Sequence, residues 1–255
     1  YPFMKDAEVI DFDNNPLTYN VCVAPQVWFA DAKARKLPRI AIIGNGLDTD
    51  RFKRLTGKRI PHRFIWCSSP DRGLEQVLQL WGMIKKELPD AELKIFYGWN
   101  YFDNYLGIPA MREYKNKILG LLEQDGVEWC GRVGQEQLAK EMRKADCMLY
   151  PPPHDFRETY GITFLEAQAA GVICFYRMSG ALGETIGNRG IPLPLDSSQE
   201  DIVKTIVSTL HNVDLCGIIR KSGREYALAR SWSKQAGKIL DLYKVIDEAK
   251  SEKGT

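Results

Sequence analysis

Two glutamates and a glycine stand close together in the segment from Tyr150 to Gly171. Glu158 precedes a predicted helix, Glu166 lies one turn inside it, and Gly161 comes between them. The first N–H groups of a helix have no partner within the helix and attract anions, and a glycine lets a ligand approach the backbone closely. Carboxylates accept hydrogen bonds from paired hydroxyls. This segment could therefore hold a diphosphate through its amides and the flanking sugars through its carboxylates.

The same spacing also has purely structural explanations. Thr163-x-x-Glu166 is formally a capping box, in which a glutamate satisfies a backbone N–H group at the start of a helix. In that case Glu166 serves the helix alone. Glu158 is equally well explained as a solvated acid of the loop. Residue spacing leaves the binding and the structural explanations open for both glutamates.

The segment lies where a strand passes into a helix, and most of the chain shows the same alternation. Apolar runs typical of buried strands alternate with stretches in which apolar residues recur at helical spacing. The predicted strands are 63–67, 93–97, 127–130, 147–150 and 172–176, and the predicted helices are 69–88, 111–124, 135–144, 163–170, 198–211, 214–229 and 233–249. The alternation predicts an α/β fold with a Rossmann-like, doubly wound parallel sheet. Such sheets bind ligands at the C-terminal ends of their strands.

The first 60 residues are organised differently. Two strands, 21–24 and 40–43, would flank a helix over 26–36. The glycines of Gly44-Asn45-Gly46 then break the pattern, and residues 51–63 carry six arginines or lysines and no acid. Such a stretch predicts a solvated linker between two domains, with a phosphate-facing role as the alternative.

Composition and charge exclude several classes of protein. The 255 residues are 44% hydrophobic, and 35 basic residues balance 33 acidic ones, as in a globular protein without general affinity for nucleic acid. No apolar run reaches the ~18 residues of a transmembrane segment. The six cysteines form no Cys-x-x-Cys pair, which favours reduced core thiols and a cytoplasmic location over zinc or redox chemistry.

Several nucleotide and metal motifs are incomplete. Gly44-Asn45-Gly46 would open a dinucleotide fingerprint only with a third glycine at position 49, which is Thr49. The chain contains neither a Walker A sequence nor a Gly-x-Ser-x-Gly elbow. Asp11-Phe12-Asp13 and Asp48-Thr49-Asp50 match the D-x-D pattern of some divalent-cation sites, but this pattern is common by chance. We therefore expect neither a bound metal nor another cofactor.

Together with its neighbours, the pair Glu158 and Glu166 resembles the E-x7-E motif of the retaining GT-B glycosyltransferases, specifically the large family-four group. Four further segments resemble motifs of that family and keep its order. They are 45–52 (N-G-V/I-D-x-x-x-F), 69–74 (the phosphate-side turn with Lys-Gly), 179–184 (G-G-x-x-E) and 231–243 (S-W followed by L-Y). The resemblance implies the C-terminal half of a GT-B fold, a nucleotide-sugar-binding donor domain with C-terminal helices, over 45–255. Residues 1–44 would be the tail of an N-terminal acceptor domain or a connecting segment, with most of that acceptor domain missing.

The resemblance also implies two groups of site residues. Glu158 would orient the transferred sugar and Arg72 would neutralise the leaving diphosphate, so both are predicted to be catalytic. The predicted donor-binding residues are Ser69, Gly98, Trp99, Arg132, Tyr160, Gly161, Ile162, Thr163 and Glu166. Glu166 would bind ribose hydroxyls, and Arg132 would lie beside the nucleobase. The chain departs from the family at Cys67-Ser68-Ser69, where a Gly-Arg pair is usual, and at Arg72, which replaces a lysine.

The implied activity is the transfer of a hexose or related sugar from a nucleoside diphosphate donor, UDP-linked on the family's general preference. The acceptor would be a glycan, lipid or protein, and the anomeric configuration would be retained. Two alternatives stay open. One is a nucleotide-sugar-binding module of a larger enzyme, without turnover of its own, and the other is a metal-dependent transferase that uses Asp48 and Asp50.

Overall fold

The structure of the chain is a computed structural model, which describes residues 20–22, 40–105, 107–153 and 156–251. Contacts within the chain divide it into two compact units. One comprises Tyr1–Gly46 and Arg230–Thr255, and the other comprises Leu47–Ala229. The assignment of 1–44 and 45–255 to two different domains stays a prediction.

The second unit is built on a parallel sheet of six strands. Strands β1 (Asn20–Cys22) and β2 (Ile40–Ile42) belong to the first unit, and the sheet of the second contains β3 (Arg63–Trp66), β4 (Glu92–Ile95), β5 (Val127–Trp129), β6 (Cys147–Tyr150), β7 (Ile173–Arg177) and β8 (Ile191–Leu193). The spatial order is β5-β4-β3-β6-β7-β8, and all neighbours are parallel. The chain moves outward from the centre in one direction with β3 to β5 and in the other with β6 to β8. This arrangement confirms the predicted doubly wound sheet.

Helices flank the sheet in two groups. The described α-helices are α1 (Thr49–Lys53), α2 (Leu74–Glu87), α3 (Asn100–Asp103), α4 (Pro109–Leu121), α5 (Gln135–Lys144), α6 (Ile162–Ala170), α7 (Leu182–Thr185), α8 (Gln199–His211), α9 (Val213–Leu228) and α10 (Trp232–Ser251). Helix α2 packs against α4 and α8, whereas α6 packs against α1, α5 and α9. Two such groups are expected when right-handed crossovers run outward from the centre in opposite directions.

The first unit contains the parallel pair β1–β2 and the long helix α10. Asn20 pairs with Ile40 in the register of the two strands. Gly46 lies against the start of α10, because a Cβ added there would be 2.7 Å from the backbone N and Cα of Trp232. The predicted helix over 26–36 lies outside the described residues.

The central strands are apolar along their whole length. This explains why they appear in the sequence as continuous apolar runs rather than as alternating apolar and polar residues. Every residue of β6 is buried, and β7 is buried as far as Tyr176. Strands of a parallel sheet are covered by helices on both faces, so both sides of each strand must be apolar. The thiols of Cys147 and Cys174 are free and buried in this core, as predicted.

The helix predicted over 69–88 begins later than expected. Pro70–Arg72 form a single 3-10 turn, and α2 starts only at Leu74. Between them Gly73 has φ = 115°, a left-handed conformation that interrupts a helix. The turn therefore leaves Arg72 in a loop at the end of β3 rather than on the first turn of a long helix.

The interpretation of 51–63 as a solvated linker is wrong. Helix α1 occupies the start of this stretch, and its Phe52 is 1% exposed. Further along, the Arg59 guanidinium donates hydrogen bonds to the carbonyl oxygens of Ala145 and Ala170, the latter at 3.1 Å. Arg51, Arg59 and Arg63 pair with carbonyls or carboxylates inside the second unit, whereas Lys53, Arg54 and Lys58 are exposed. The stretch is therefore part of the second unit rather than a linker, and only half of its charges are solvated.

Candidate functional site

The site lies where the winding of the sheet reverses. Strands β3 and β6 are neighbours at the centre of the sheet, with Phe64 paired to Cys147. The chain leaves β3 toward one edge and β6 toward the other, so the loops after these strands diverge and open a crevice. These loops are 67–73 and 151–161, which carry most of the predicted site residues.

Glu158 is buried at the end of the second loop. It is 6% exposed, and its Oε2 lies 3.7 Å from Nη1 of Arg72. The backbone N–H of Thr159 donates to Oε1 at 3.2 Å, and the Tyr150 hydroxyl lies 3.4 Å from Oε2. The structure therefore rules out the explanation of Glu158 as a solvated loop acid, because its carboxylate is held by three partners.

Tyr150 supports Glu158 from the core. Its ring stacks on Trp66 at 5.4 Å and meets Phe164 edge-on at 4.7 Å. Burial raises the pKa of the Tyr150 hydroxyl well above its ordinary value, and the negative charge of Glu158 raises it further. The hydroxyl therefore stays protonated and donates to the carboxylate.

Arg72 reaches Glu158 from the loop after β3. The two loops approach backbone to backbone, since a Cβ on Gly73 would lie 2.7 Å from the carbonyl oxygen of Pro151. The Arg72 guanidinium lies 5.3 Å from the centre of the Phe156 ring, and the side chain is 43% exposed. Arg72 thus pairs with a buried carboxylate on one side and remains accessible to an anion on the other.

Helix α6 begins at this point with free amides. Its N-cap is Gly161, with φ = 80°, and a Cβ there would lie 2.7 Å from Cδ2 of Phe164. Within the described part of the chain, no acceptor is recorded for the N–H groups of Gly161, Ile162 and Thr163. The predicted anion-binding amides are therefore present at the site, next to Glu158.

Glu166 does not take part in a capping box. Thr163 is inside α6 rather than at its N-cap, and no side chain caps this helix. Instead Glu166 Oε1 lies 3.8 Å from Nη1 of Arg51, and its side chain is 20% exposed. Burial raises the pKa of the Glu166 carboxyl, and the charge of Arg51 offsets part of this effect. A half-buried, destabilised carboxylate at a sheet edge is suited to bind a ligand rather than to cap a helix.

Arg51 was not predicted as a site residue. Its Nη2 donates to Oε1 of Gln135 at 2.9 Å, its Nε lies 3.3 Å from Glu136, and its side chain is 12% exposed. In the sequence it is one of six basic residues spread over 51–63, and nothing in that composition distinguishes it. Its position in the motif 45–52, six residues after Asn45, was the available signal.

A cavity of about 250 Å³ lies at the ends of β3 and β4, and its lining residue Gln135 is bonded to Arg51, the partner of Glu166. Cys67, Gly98, Arg132 and Gln135 are among the residues that line it. Burial raises the pKa of the Cys67 thiol well above its ordinary value, and the nearby charge of Glu166 raises it further. A Cβ on Gly98 would lie 3.3 Å from Cβ of Arg132. The structure therefore brings the predicted residues Gly98 and Arg132 together in one cavity.

The other predicted donor-binding residues surround this region. Trp99 stacks on Trp129 at 4.5 Å and lies beside the residues lining the cavity rather than among them. Ser69 begins the 3-10 turn that carries Arg72, and its carbonyl accepts from the Arg72 N–H at 3.1 Å. Tyr160 is 7% exposed and precedes the N-cap of α6. The binding roles of Trp99, Ser69 and Tyr160 stay predictions.

A turn from another strand holds the Glu158 backbone. The Ala181 N–H donates to the Glu158 carbonyl at 2.8 Å, and the Glu158 N–H lies 3.4 Å from Oγ of Ser179. Gly180 lies so close that an added Cβ would be 2.1 Å from the Glu158 oxygen. The sequence showed this turn only as a resemblance to G-G-x-x-E, without a role. It is a positioning element for Glu158.

The carboxylates of Asp48-Thr49-Asp50 have structural partners, whereas Asp11-Phe12-Asp13 lies outside the described residues. Asp48 is the N-cap of α1 and accepts from the Arg51 N–H at 3.4 Å, and Asp50 pairs with Lys53 at 3.0 Å. Among the residues that the structure describes, no group of three or more His, Cys, Asp or Glu is arranged to hold an ion. The expectation that no metal is needed stays a prediction.

Size alone does not select the site. A larger cavity, about 580 Å³, lies between α2 and α8 and is lined by residues such as Met83, Val203 and His211. None of its lining residues follows a strand of the sheet. The crevice at the sheet edge combines a buried carboxylate paired with a partly exposed arginine, free amides and a half-buried carboxylate. The groove between the two helices has no such combination.

Comparison with known proteins agrees with this geometry. Residues 65–226 match the family model of the glycosyl transferases group 1. The chain belongs to this family. The match confirms the resemblance to the C-terminal domain of GT-B glycosyltransferases and includes Arg72, Glu158 and Glu166.

The relatives of this glycosyl transferase group 1 chain are distant. A GDP-mannose-dependent alpha-(1-6)-phosphatidylinositol monomannoside mannosyltransferase of Mycobacterium tuberculosis is 26% identical over 224 residues, which are 80% of this chain and 56% of that protein. The chain thus spans little more than half the length of the curated relatives it matches. A glycosyltransferase from Rickettsia africae has the same fold with a TM-score of 0.72 at 18% identity, over 93% of this chain and 66% of that one. Anabaena HepE, solved with UDP and glucose, gives a TM-score of 0.68 at 16% identity, over 88% and 62% respectively.

No described helix alone is both long and apolar enough to cross a membrane. Helices α8 and α9 reach the required length and apolarity only as a pair, which is bent by 89°.

Proposed function

We propose that this chain is the donor-binding part of a glycosyltransferase that uses a nucleoside diphosphate sugar. One observation carries the proposal. The buried Glu158 carboxylate lies 3.7 Å from the partly exposed Arg72, at the end of β6 beside the free amides of α6. The amides and Arg72 supply positive charge for a diphosphate, and Glu158 supplies negative charge for a developing sugar cation.

Each part of the donor has a place in this arrangement. The cavity with Gly98 and Arg132 takes the nucleoside, and Glu166 at its edge accepts hydrogen bonds from the ribose hydroxyls. The amides of 161–163 and the Arg72 guanidinium bind the diphosphate, where a planar fork matches two phosphate oxygens. The sugar then lies next to Glu158.

The chemistry follows from the charges. As the bond between the anomeric carbon and the diphosphate breaks, negative charge grows on the diphosphate and positive charge on the sugar ring. Arg72 stabilises the first and Glu158 the second. Glu158 is held by Tyr150 and the Thr159 N–H, so it orients the sugar rather than attacks it. The acceptor hydroxyl attacks the anomeric carbon on the face that the diphosphate leaves, and its proton passes to the departing diphosphate oxygen, so the configuration is retained.

The nucleotide and the sugar are part of the proposal. The mycobacterial relative is named for GDP-mannose, and the Anabaena structure was solved with UDP and glucose. Both are nucleoside diphosphates combined with a hexose, which is the class we assign to this site. A thermal-shift comparison of UDP-, GDP- and ADP-hexoses selects among them, because a ligand that binds the folded state raises the melting temperature.

Two glutamate variants test the assignment. Glu158→Ala is expected to lower turnover by about 100-fold or more while nucleotide affinity stays within about twofold, because it removes an interaction made in the transition state. Glu166→Ala is expected to weaken nucleotide binding by ~1–3 kcal/mol, since it removes charge-assisted hydrogen bonds. Glu113→Ala is the matched control, because Glu113 is exposed on α4 and outside the site. Unchanged turnover in Glu158→Ala would overturn the proposal.

The same measurements decide between the alternatives. The chain covers 56% of the mycobacterial relative, so a binding module of a larger enzyme is the second candidate. Nucleotide binding without donor hydrolysis or transfer would support it. Loss of activity in EDTA would instead favour the metal-dependent mechanism through Asp48 and Asp50. The cytoplasmic location and the missing acceptor domain stay predictions.

A further inference from the structure

A second cavity lies at the same edge of the sheet, beyond the loop that carries Glu158. It has a volume of about 140 Å³ at the ends of β7 and β8, and Arg157, Arg177 and Phe156 are among its lining residues. It shares no lining residue with the nucleoside cavity. None of the site residues predicted from the sequence lines it.

The cavity contains two cationic side chains without counter-charges. Arg177 is the last residue of β7. Its Nε is buried and has no hydrogen-bond partner, and neither Arg157 nor Arg177 forms an ion pair with any residue that the structure describes. Arg157 is exposed and Arg177 is partly buried, and both line the cavity. Their positive charges are therefore available to an anionic ligand in the cavity.

The size and the apolar walls limit what that ligand can be. The cavity of about 140 Å³ is several times the ~30 Å³ that one water occupies in the liquid, and well below the ~300–1,000 Å³ of a complete small-molecule site. Met178 and Leu195 lie at its rim and are 49% and 52% exposed. These dimensions suit one anionic group, a phosphate or a carboxylate, on a larger molecule whose remainder lies outside.

The cavity adjoins the proposed sugar site. Phe156 lines this cavity, and the centre of its ring also lies 5.3 Å from the Arg72 guanidinium. Ser179 and Gly180 line it and also hold the backbone of Glu158. A group bound by Arg157 and Arg177 is therefore separated from the Arg72–Glu158 pair by one aromatic ring and one turn.

We infer that this cavity is an anion subsite that binds an acidic group, a phosphate or a carboxylate, carried by the acceptor. The assignment to the acceptor rests on the proposed function, whereas the anion site itself does not. The nucleotide's own phosphates are assigned to Arg72 and the amides of α6. Arg157 and Arg177 would thus select acceptors with an acidic substituent near the hydroxyl that receives the sugar.

The anion site is tested by NMR with inorganic phosphate as the probe. The full chain is first saturated with the nucleotide that the thermal-shift comparison selects, so that Arg72 and the α6 amides are occupied. Phosphate is expected to shift the amide signals of 156–157 and 177–180 with a dissociation constant in the millimolar range. Arg177→Gln should weaken this binding at least about tenfold, because a charge-assisted contact is lost. Arg112→Gln, an exposed arginine on α4, should leave it unchanged.

The outcomes test separately whether the cavity binds an anion and whether that anion belongs to the acceptor. Signals that do not move at 156–157 and 177–180, or that move equally in Arg177→Gln, overturn the anion site. This measurement needs no turnover, so its result stands whether or not the chain transfers a sugar. If it does, Arg177→Gln should raise KM for a phosphorylated acceptor without changing KM for its neutral counterpart. An equal rise for both acceptors would overturn the assignment to the acceptor.

Discussion

Replacing Gly180 with alanine is a direct test of how Glu158 is held. Gly180 has φ = 53°, and a Cβ there would lie 2.1 Å from the Glu158 carbonyl oxygen and 2.9 Å from its backbone N. Ordinary van der Waals contact begins near 3.4 Å, so the turn and the Glu158 backbone must separate by more than about 1 Å. That movement also breaks the bond from the Ala181 N–H to the Glu158 carbonyl.

Gly180→Ala is expected to lower both the stability of the fold and the turnover. A left-handed alanine costs ~1–2 kcal/mol, and the lost hydrogen bond ~1 kcal/mol. For a unit of this size, ~1 kcal/mol corresponds to ~2–4 °C in melting temperature, so a decrease of about 4–12 °C is expected. A displacement of ~1 Å at a catalytic group lowers turnover by about 100-fold. Nucleotide affinity should stay within about threefold, because Glu166 and the nucleoside cavity have no contact with Gly180.

Two glycine variants serve as controls in the assay. Gly57 has φ = 112° and no atom within 4 Å of an added Cβ, so Gly57→Ala costs stability without moving Glu158. Gly82 is exposed within α2, and Gly82→Ala should stabilise by up to ~1 kcal/mol. Turnover, melting temperature and nucleotide affinity are measured for all three variants. If Gly180→Ala loses only as much stability as Gly57→Ala and keeps its turnover, the turn at Gly180 does not position Glu158 and the reasoning is refuted. If it fails to fold, Ser179→Ala removes the hydroxyl contacts of the same turn without steric overlap.

Three further results are expected. Burial raises the pKa of Glu166 above its ordinary value of 4.5, so the folded protein binds that proton more tightly than the unfolded chain and loses stability as pH rises across this interval. Glu166→Gln should therefore have a higher melting temperature than the wild type. The difference should grow as the pH rises above ~4.5 and then stay constant, and a difference that does not change with pH would contradict this reasoning. Arg51→Gln should weaken nucleotide binding about 3–30-fold, and the double variant with Glu166→Gln should be less than additive, since the two charges interact at 3.8 Å. Ser198 caps α8 by accepting from the Asp201 N–H at 3.1 Å, so Ser198→Ala should cost ~1 kcal/mol in denaturant unfolding and leave nucleotide affinity unchanged.

The sequence predicted the second unit well because its signals were local. Continuous apolar runs marked β6 and β7, and Gly171 ended α6 with φ = 77° as predicted. Helical spacing predicted α5 to the residue. The alternation of such elements then allows few arrangements other than a doubly wound sheet. The edge that carries the site follows from that topology, so the positions of Glu158 and the α6 amides could be predicted without coordinates.

What the sequence did not show depends on contacts between distant segments. The pairing of Arg51 with Glu166 joins residues 115 positions apart, and the composition around Arg51 indicated a linker instead. The anion cavity joins Arg157, from the loop after β6, with Arg177, the last residue of β7, and neither residue belongs to a recognisable motif. Charge patterns along a chain indicate which groups must be satisfied but not which partners satisfy them. That information is contained only in the tertiary packing.

Glycines explain why the surroundings of Glu158 could be anticipated from so few residues. Gly73 lets the loop after β3 touch the Pro151 carbonyl, and Gly180 lets the turn after β7 touch Glu158. Both are contacts between backbones, which do not depend on which side chains surround them. Glu158 and the start of its loop are therefore held by main-chain packing, while a side chain such as Arg177 is free to differ. This division predicts that substitutions at the two glycines lower turnover for any donor, whereas substitutions at Arg177 change which acceptor is used.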